Sequence, residues 1–133
     1  MNFSSLVFPA PKPSYCQQSL LGDLIYVPRK LHVTKLLSSQ EIRKKVSSQN
    51  DALSAIPCLY LPYPNGSSKL LIYFHGNAED IGLSYELLDH MRSSFKINIM
   101  AVEYPGYGIY ADVEGPDEDK IKTDAEDVLD FVL

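Results

Sequence analysis

The residues with the clearest chemical content are His75-Gly76-Asn77-Ala78, which directly follow the apolar run from Leu70 to Phe74. A loop of this kind at the end of a buried strand can place main-chain N–H groups beside a reacting carbonyl. The amides of Asn77 and Ala78 are the candidate donors, because a helical pattern follows and the amino end of a helix favours negative charge. A plain turn at Gly76 with Asn77 capping the helix is the alternative, and the spacing alone does not separate the two.

A nucleophile facing such donors would be expected in a Gly-x-Ser-x-Gly motif, which does not occur in the 133 residues. The nearest match, Gly82-Leu83-Ser84-Tyr85-Glu86, has a glutamate in place of the second glycine, and the pattern puts Ser84 on a helix surface. An acidic run fits an exposed loop and a helix start better than a metal site. Its members are Asp112, Glu114, Asp117, Glu118 and Asp119. The sequence therefore predicts neither a catalytic side chain nor a metal site.

Strands and helices alternate around these loops. Apolar runs predict strands over residues 24–27, 31–36, 56–64, 69–74 and 96–104, with a polar loop over 38–50. The 69–74 run is typical of a strand covered on both faces. Three-four spacing predicts a helix within residues 78–95, with Glu79 and Asp80 in its first turn, and a second helix opening at Pro116. Their predicted buried residues are Ile81, Tyr85, Leu88, Met91 and Phe95, then Ile121, Ala125, Val128, Leu129 and Val132. Strand, helix, strand, helix with short loops predicts βαβ units and an α/β fold with a parallel sheet.

Composition limits the class of protein. Hydrophobic residues make up 45% and charged residues 22% of a chain long enough for one domain, which indicates a globular protein. The net charge of −5 argues against nucleic acid as a partner. No apolar run approaches the roughly 20 residues that span a bilayer, and the first residues lack a signal-peptide pattern. Two cysteines without metal-ligand spacing, Cys16 and Cys58, favour a reducing, cytoplasmic location.

Two longer stretches carry a family resemblance. "LIYFHGNAEDIG" (71–82) and "INIMAVEYPGYG" (97–108) resemble the α/β-hydrolase superfamily. More narrowly they are similar to serine hydrolases of the α/β-hydrolase domain-containing protein 17 and 13 type, whose core carries a His-Gly-Asn-Ala motif and a Tyr-x-Gly-Tyr-Gly turn. "FPAPKPSY" (8–15) is similar to the proline-rich approach of the 17 group.

The resemblance implies roles for the matching residues. His75, Gly76, Asn77 and Ala78 would form the oxyanion loop through main-chain amides, with His75 structural and not the triad base. A turn built from Tyr104, Gly106, Tyr107 and Gly108 would shape the pocket edge. The implied reaction is hydrolysis of an acyl ester or thioester, depalmitoylase-like and without a cofactor, with peripheral membrane contact in the cytoplasm.

The resemblance also implies an architecture. Residues 1–23 would be an extended proline-rich lead-in on the surface. Residues 24–133 would form the N-terminal half of an α/β-hydrolase fold, with a mostly parallel sheet and flanking helices, truncated before the nucleophile strand. Strand four lies between strands two and three in such sheets, which leaves residues 70–74 as an unpaired apolar edge open to self-association. Such a chain would be inactive until a C-terminal half completed it.

Two other interpretations stay open. The chain could be a non-catalytic remnant that binds a partner or a membrane surface through the sheet edge and the proline-rich arm. It could also be a fragment of a prolyl-oligopeptidase-like peptidase, which shares the fold and the His-Gly loop, although a propeller-like N-terminal region is missing from the sequence.

Overall fold

A computed structural model describes residues 6–20, 22–30, 55–110 and 115–133. Over these ranges the chain has an α/β-type arrangement of one four-stranded sheet and two helices. The elements in chain order are β1 (Leu24–Pro28), β2 (Ala55–Leu61), β3 (Leu70–Phe74), α1 (Tyr85–Phe95), β4 (Asn98–Val102) and α2 (Glu118–Val132). The predicted strand over 31–36, the loop over 38–50, and Asp112 and Glu114 lie outside the described residues.

The sheet is mixed, with the strand order β1-β2-β4-β3. Only β3 and β4 pair in parallel, while β1–β2 and β2–β4 are antiparallel, so the prediction of a mostly parallel sheet is wrong. The cause is a short reversal after β2, where the Gly66 N–H donates to the Tyr63 carbonyl at 2.9 Å. A parallel return needs a crossover of a dozen or more residues, and the segment between β2 and β3 is too short for one.

Helix α1 begins at Tyr85, later than the sequence predicts. Residues 81–84 form turns, and Ala78 has a φ of +60°, which no α-helix accommodates. The prediction that Ser84 lies on a helix surface is also wrong. Ser84 immediately precedes α1, is buried, and donates its hydroxyl to the Asp80 carbonyl at 3.2 Å. Phe95, predicted to be buried, is 63% exposed.

The core occupies both faces of the sheet. Along β4, Ile99 and Ala101 point to the side of α1, and Met100 and Val102 to the side of α2, as the two-residue period of a strand requires. Leu88 of α1 and Val128 of α2 are fully buried against these two sides. Because β4 is covered on both faces, its sequence reads as a continuous apolar run.

Helix α2 is held to the sheet partly by carboxylates. The helix begins at Glu118, two residues later than the predicted opening at Pro116, and Asp117 caps its amino end by accepting the Lys120 N–H at 2.9 Å. The predicted apolar stripe is only partly correct, because Leu129 is 46% exposed whereas two aspartates are buried. Asp124 lies 2.9 Å from the Arg29 Nε and accepts the Tyr110 hydroxyl at 2.7 Å. The other, Asp127, accepts the Lys30 N–H at 2.9 Å.

The proline-rich lead-in does not simply lie on the surface. We call residues 9–20 the arm. Tyr15 and Leu20 of the arm are buried in the core cluster beneath α1, contrary to the sequence prediction. Cys16 of the arm is exposed and Cys58 of β2 is buried, and both thiols are free. Burial raises the pKa of Cys58 to about 12, so this thiol stays protonated at neutral pH.

Neither helix in the part of the chain that the structure describes has the length and apolar character needed to cross a bilayer.

Strand β3 forms one edge of the sheet, and this edge yields a prediction. Within the described ranges its strand partners lie only on the β4 side, and Leu70 and Phe74 are 37% and 43% exposed. An apolar edge strand with unpaired backbone groups recruits further strands. We expect purified residues 1–133 to self-associate in sedimentation velocity, and Leu70→Lys to shift the chain toward monomer. The matched control is Leu83→Lys, which adds the same charge at a more exposed leucine away from the strands. A monodisperse wild-type monomer contradicts the prediction.

Candidate functional site

Two loops meet at the carboxyl ends of β3 and β4. Phe74 and Val102 are register partners in the parallel pair, so the next residue of each strand, His75 and Glu103, lie side by side. The His75 Nε2 is 2.7 Å from the Glu103 Oε1, and both side chains are fully buried. The structure thereby brings together the two loops that the sequence singles out.

The ring of His75 is hydrogen-bonded at both nitrogens. Its Nδ1 lies 2.9 Å from the Gly76 carbonyl, which can only accept, so Nδ1 carries a proton. Burial works against a charged ring. The hydrogen bonds to Glu103 and to the Gly76 carbonyl, with the negative charges of Glu103 and Asp80, outweigh it, and the pKa of His75 is raised. A buried imidazole with both nitrogens engaged fits the structural role that the resemblance implies.

Glu103 organises the site, and the sequence reasoning missed it. Besides His75 it accepts the Tyr15 hydroxyl at 2.6 Å, the Ile81 N–H at 3.2 Å and the Tyr104 N–H at 3.1 Å. A buried carboxylate needs such donors, because an unpaired buried charge is very costly. The available signal was an acid at the end of the most apolar strand, where a solvated residue is not expected.

Two tyrosines of the predicted pocket-edge turn enclose the histidine. Tyr104 donates its hydroxyl to the His75 carbonyl at 2.6 Å, and the two ring centroids are 4.0 Å apart. The Tyr107 ring lies 5.3 Å from the His75 ring and meets Tyr104 edge-on. Burial, reinforced by the charge of Glu103, raises the pKa of Tyr104 to about 12. Tyr107 is fully buried, and within the described ranges its hydroxyl has no hydrogen-bond partner. It is therefore packed in the interior of the turn.

The same turn needs glycine at position 108. Gly108 has a φ of +53°, and Gly106 earlier in the turn has a φ of +82°. A Cβ at position 108 would lie 2.4 Å from the Glu103 Oε2 and 2.5 Å from the Tyr15 hydroxyl oxygen. The absence of a side chain at Gly108 lets the arm and the carboxylate meet.

Residues 76–79 form a β-turn whose two central residues, Asn77 and Ala78, are exposed. The Glu79 N–H donates to the Gly76 carbonyl at 3.3 Å, and the Gly76 N–H donates to the Glu79 carboxylate at 3.3 Å. A positive φ at Ala78, with none at Asn77, is the sign pattern of a type II turn, which normally has glycine at the third position. Among the described residues, no acceptor faces the backbone N–H of Asn77 or Ala78.

The helix contribution expected for this loop is absent. Because α1 begins at Tyr85, Asn77 does not cap it, and the amides of the turn do not lie at its amino end. Asp80, predicted in the first helical turn, is fully buried and accepts the Leu83 N–H at 2.9 Å. What the turn offers chemically is two exposed N–H donors that can bind an oxyanion or a carboxylate.

In the described ranges no three His, Cys, Asp or Glu side chains come together to hold a metal ion. Asp117 is engaged as the cap of α2, and Glu118 pairs with Lys122 at 2.6 Å.

Comparisons with family models and with solved structures give no match, so the function of the site has to follow from its own geometry. The molecule is thus defined by its α/β-type arrangement and by a buried histidine–glutamate pair next to a turn in which two amides have no acceptor among the described residues.

The raised pKa of His75 gives stability a pH dependence. Folding favours the protonated ring, so this stabilisation is complete below the ordinary value of 6.5 and is lost as the pH rises through the folded-state pKa. We expect the free energy of unfolding, from urea denaturation, to fall above pH 6.5 in the wild type. In Glu103→Gln the part of this decrease in unfolding free energy that comes from His75 should disappear. Equal pH slopes in the two proteins would contradict the role given to the pair.

Because Gly108 is crowded and Gly76 is not, alanine substitutions at the two positions should differ in their effect on stability. Gly108→Ala forces a Cβ into Glu103 and Tyr15 and adds a strained backbone, so we expect a loss of about 2–4 kcal/mol of unfolding free energy. The matched control is Gly76→Ala, whose Cβ would meet only the Glu79 side chain at an ordinary 3.6 Å, with an expected change below about 1 kcal/mol. Similar losses for both variants in thermal or urea unfolding would refute this assignment.

Proposed function

We propose that this chain carries the oxyanion-loop part of an α/β-hydrolase that cleaves acyl esters or thioesters, and that it needs a nucleophile from outside these 133 residues. The amides of Asn77 and Ala78 hold the oxyanion. His75 supports their turn from below and takes no proton from the nucleophile. The chain is inactive alone and requires no cofactor.

The observation that carries the proposal is the pair of unbonded amides in the 76–79 turn. Ala78 holds a positive φ that costs about 1–2 kcal/mol for a residue with a Cβ. Strained backbone of this kind concentrates at functional sites, where the surroundings hold it in place. The buried His75–Glu103 pair supplies that support directly beneath the turn.

The strand order gives further support. The resemblance implies that strand four lies between strands two and three, and here β4 lies between β2 and β3. The resemblance also implies that the next strand to pair with β3 carries the nucleophile. Its carboxyl end would then lie beside the 76–79 turn, because reactive groups gather at the carboxyl ends of parallel strands.

The chemistry follows from that placement. A serine Oγ, losing its proton to a base, forms a bond to the acyl carbon as the carbonyl π electrons move to oxygen. The Asn77 and Ala78 amides donate to this negative oxygen. When the carbonyl re-forms, the bond to the alcohol or thiol breaks, and the leaving group takes a proton. Removal of one such donor typically slows the reaction about 10²–10³-fold.

A binding module is the second candidate function. The unpaired edge of β3, with Leu70 and Phe74 exposed, could accept a strand from a partner without any catalysis. This candidate function involves the sheet edge and assigns no function to the two amides of the turn.

The reading frame after codon 133 separates the two candidates. We expect the transcript to continue into a Gly-x-Ser-x-Gly motif within the next few tens of codons, and the longer product to react with a fluorophosphonate probe. The control is the same product with the motif serine changed to alanine, which should not be labelled. A stop codon directly after Leu133, together with a partner that pairs with the β3 edge, would favour the binding module.

A further inference from the structure

We propose that Ser14 and Tyr15 of the arm are positioning residues that hold the amides of Asn77 and Ala78 in the geometry of the 76–79 turn. The inference rests on the proposed function for the importance of those amides. The family resemblance assigns no role to these two residues. The inference gives the proline-rich arm a function in the site, which is to hold the turn in place.

Ser14 anchors the end of the loop. Its backbone N–H donates to the Asp80 Oδ2 at 2.8 Å, and its hydroxyl donates to the Asp80 Oδ1. Asp80 is fully buried and also accepts the Leu83 N–H at 2.9 Å. Two of the three donors on this carboxylate therefore come from the arm, across 66 positions of sequence.

Tyr15 anchors the start of the loop through Glu103. Its hydroxyl donates to the Glu103 Oε2 at 2.6 Å and accepts the Ile109 N–H at 3.4 Å. Glu103 in turn binds His75 and the Ile81 N–H. The residues that flank the 76–79 turn on both sides are thus fixed by carboxylates that bind the arm.

The arm and Val7, which lies upstream of it, also contact the loop closely. A Cβ at Gly82 would lie 2.5 Å from the Ser14 Oγ and 2.6 Å from the Tyr15 Cδ1, so only glycine lets the two backbones approach. Upstream of the arm, the Val7 carbonyl accepts the Asn77 Nδ2–H at 3.3 Å. This last contact joins the N-terminal segment to the turn itself.

The anchors matter because the turn is not self-sufficient. Among the described residues, two 3.3 Å hydrogen bonds between Gly76 and Glu79 are the only ones that close the turn. Without further contacts from its neighbours, Ala78 would relax out of its positive φ. Oxyanion donors act only when held within about 0.5 Å and 10–20° of the required geometry. The hydroxyls of the arm supply that constraint.

The test is the backbone order of the Asn77 and Ala78 amides by ¹⁵N relaxation, measured in residues 1–133 carrying Leu70→Lys to keep the chain monomeric. We expect order parameters near about 0.85 in this parent and below about 0.6 in Ser14→Ala and in Tyr15→Phe. Ser14→Thr, which keeps the hydroxyl, should restore the parent value. If Tyr15→Phe does not fold, Ser14→Ala decides.

Two controls separate positioning from general destabilisation. Tyr26→Phe removes a tyrosine hydroxyl that accepts from Gln17 of the arm at 3.0 Å, away from the turn. Val128→Ala lowers stability from the opposite face of the sheet. Neither should change the order of the two amides. Unchanged order in both Ser14→Ala and Tyr15→Phe, or an equal loss in Val128→Ala, overturns the proposal.

Titration of the same samples with sodium octanoate, a carboxylate with an acyl tail, tests the proposed function separately. Octanoate should shift the Asn77 and Ala78 resonances in the parent and bind about tenfold more weakly to Ser14→Ala. If the variants lose order but octanoate shifts neither amide in the parent, the coupling of arm and turn stands and the oxyanion role fails.

Discussion

The hydrogen bond between His75 and Glu103 is the interaction on which the rest of the structure depends. It joins the ends of the two parallel strands at the point where the sheet stops pairing them. A carboxylate buried this completely must be given donors, and the chain supplies them from three directions: the loop after β3, the turn after β4 and the arm. Removing one partner of a buried charged pair commonly costs about 3–5 kcal/mol, because the other is left uncompensated. The loops are therefore coupled to one another through a single carboxyl group.

Polar contacts also decide where the second helix lies. Asp124 and Asp127 occupy the face of α2 that packs on the sheet, where a stripe of aliphatic residues is the usual arrangement. Arg29, the Tyr110 hydroxyl and the Lys30 backbone N–H satisfy them. Apolar packing brings this helix to the sheet through Val128, and the aspartates fix its rotation, since carboxylates tolerate few alternative partners in a buried site.

The sequence predicts the elements better than it predicts the site. The strands predicted over 24–27, 56–64, 69–74 and 96–104 are confirmed as elements, with observed bounds of Leu24–Pro28, Ala55–Leu61, Leu70–Phe74 and Asn98–Val102. The antiparallel pairing of β2 with β4 cannot be predicted from the residues of β2, because an apolar run is the same for a parallel and an antiparallel strand. The start of α1 was misplaced because Glu79 and Asp80 look like a first helical turn, whereas their carboxylates bind Gly76, Ser14 and Leu83. The roles of Glu103 and Tyr15 depend on a contact across 88 positions of sequence, which no local pattern encodes.

That separation has a consequence for how the molecule is made. The arm is synthesised before the sheet, and the carboxylate that receives Tyr15 follows 88 residues later. Closing so long a loop has a large entropic cost, which only the assembled sheet can offset. Tyr15 and Leu20 of the arm therefore stay exposed to solvent until β4 has been synthesised and has paired between its neighbours. The contact between Tyr15 and Glu103 therefore forms only after β4 has joined the sheet, although the arm is synthesised before that sheet.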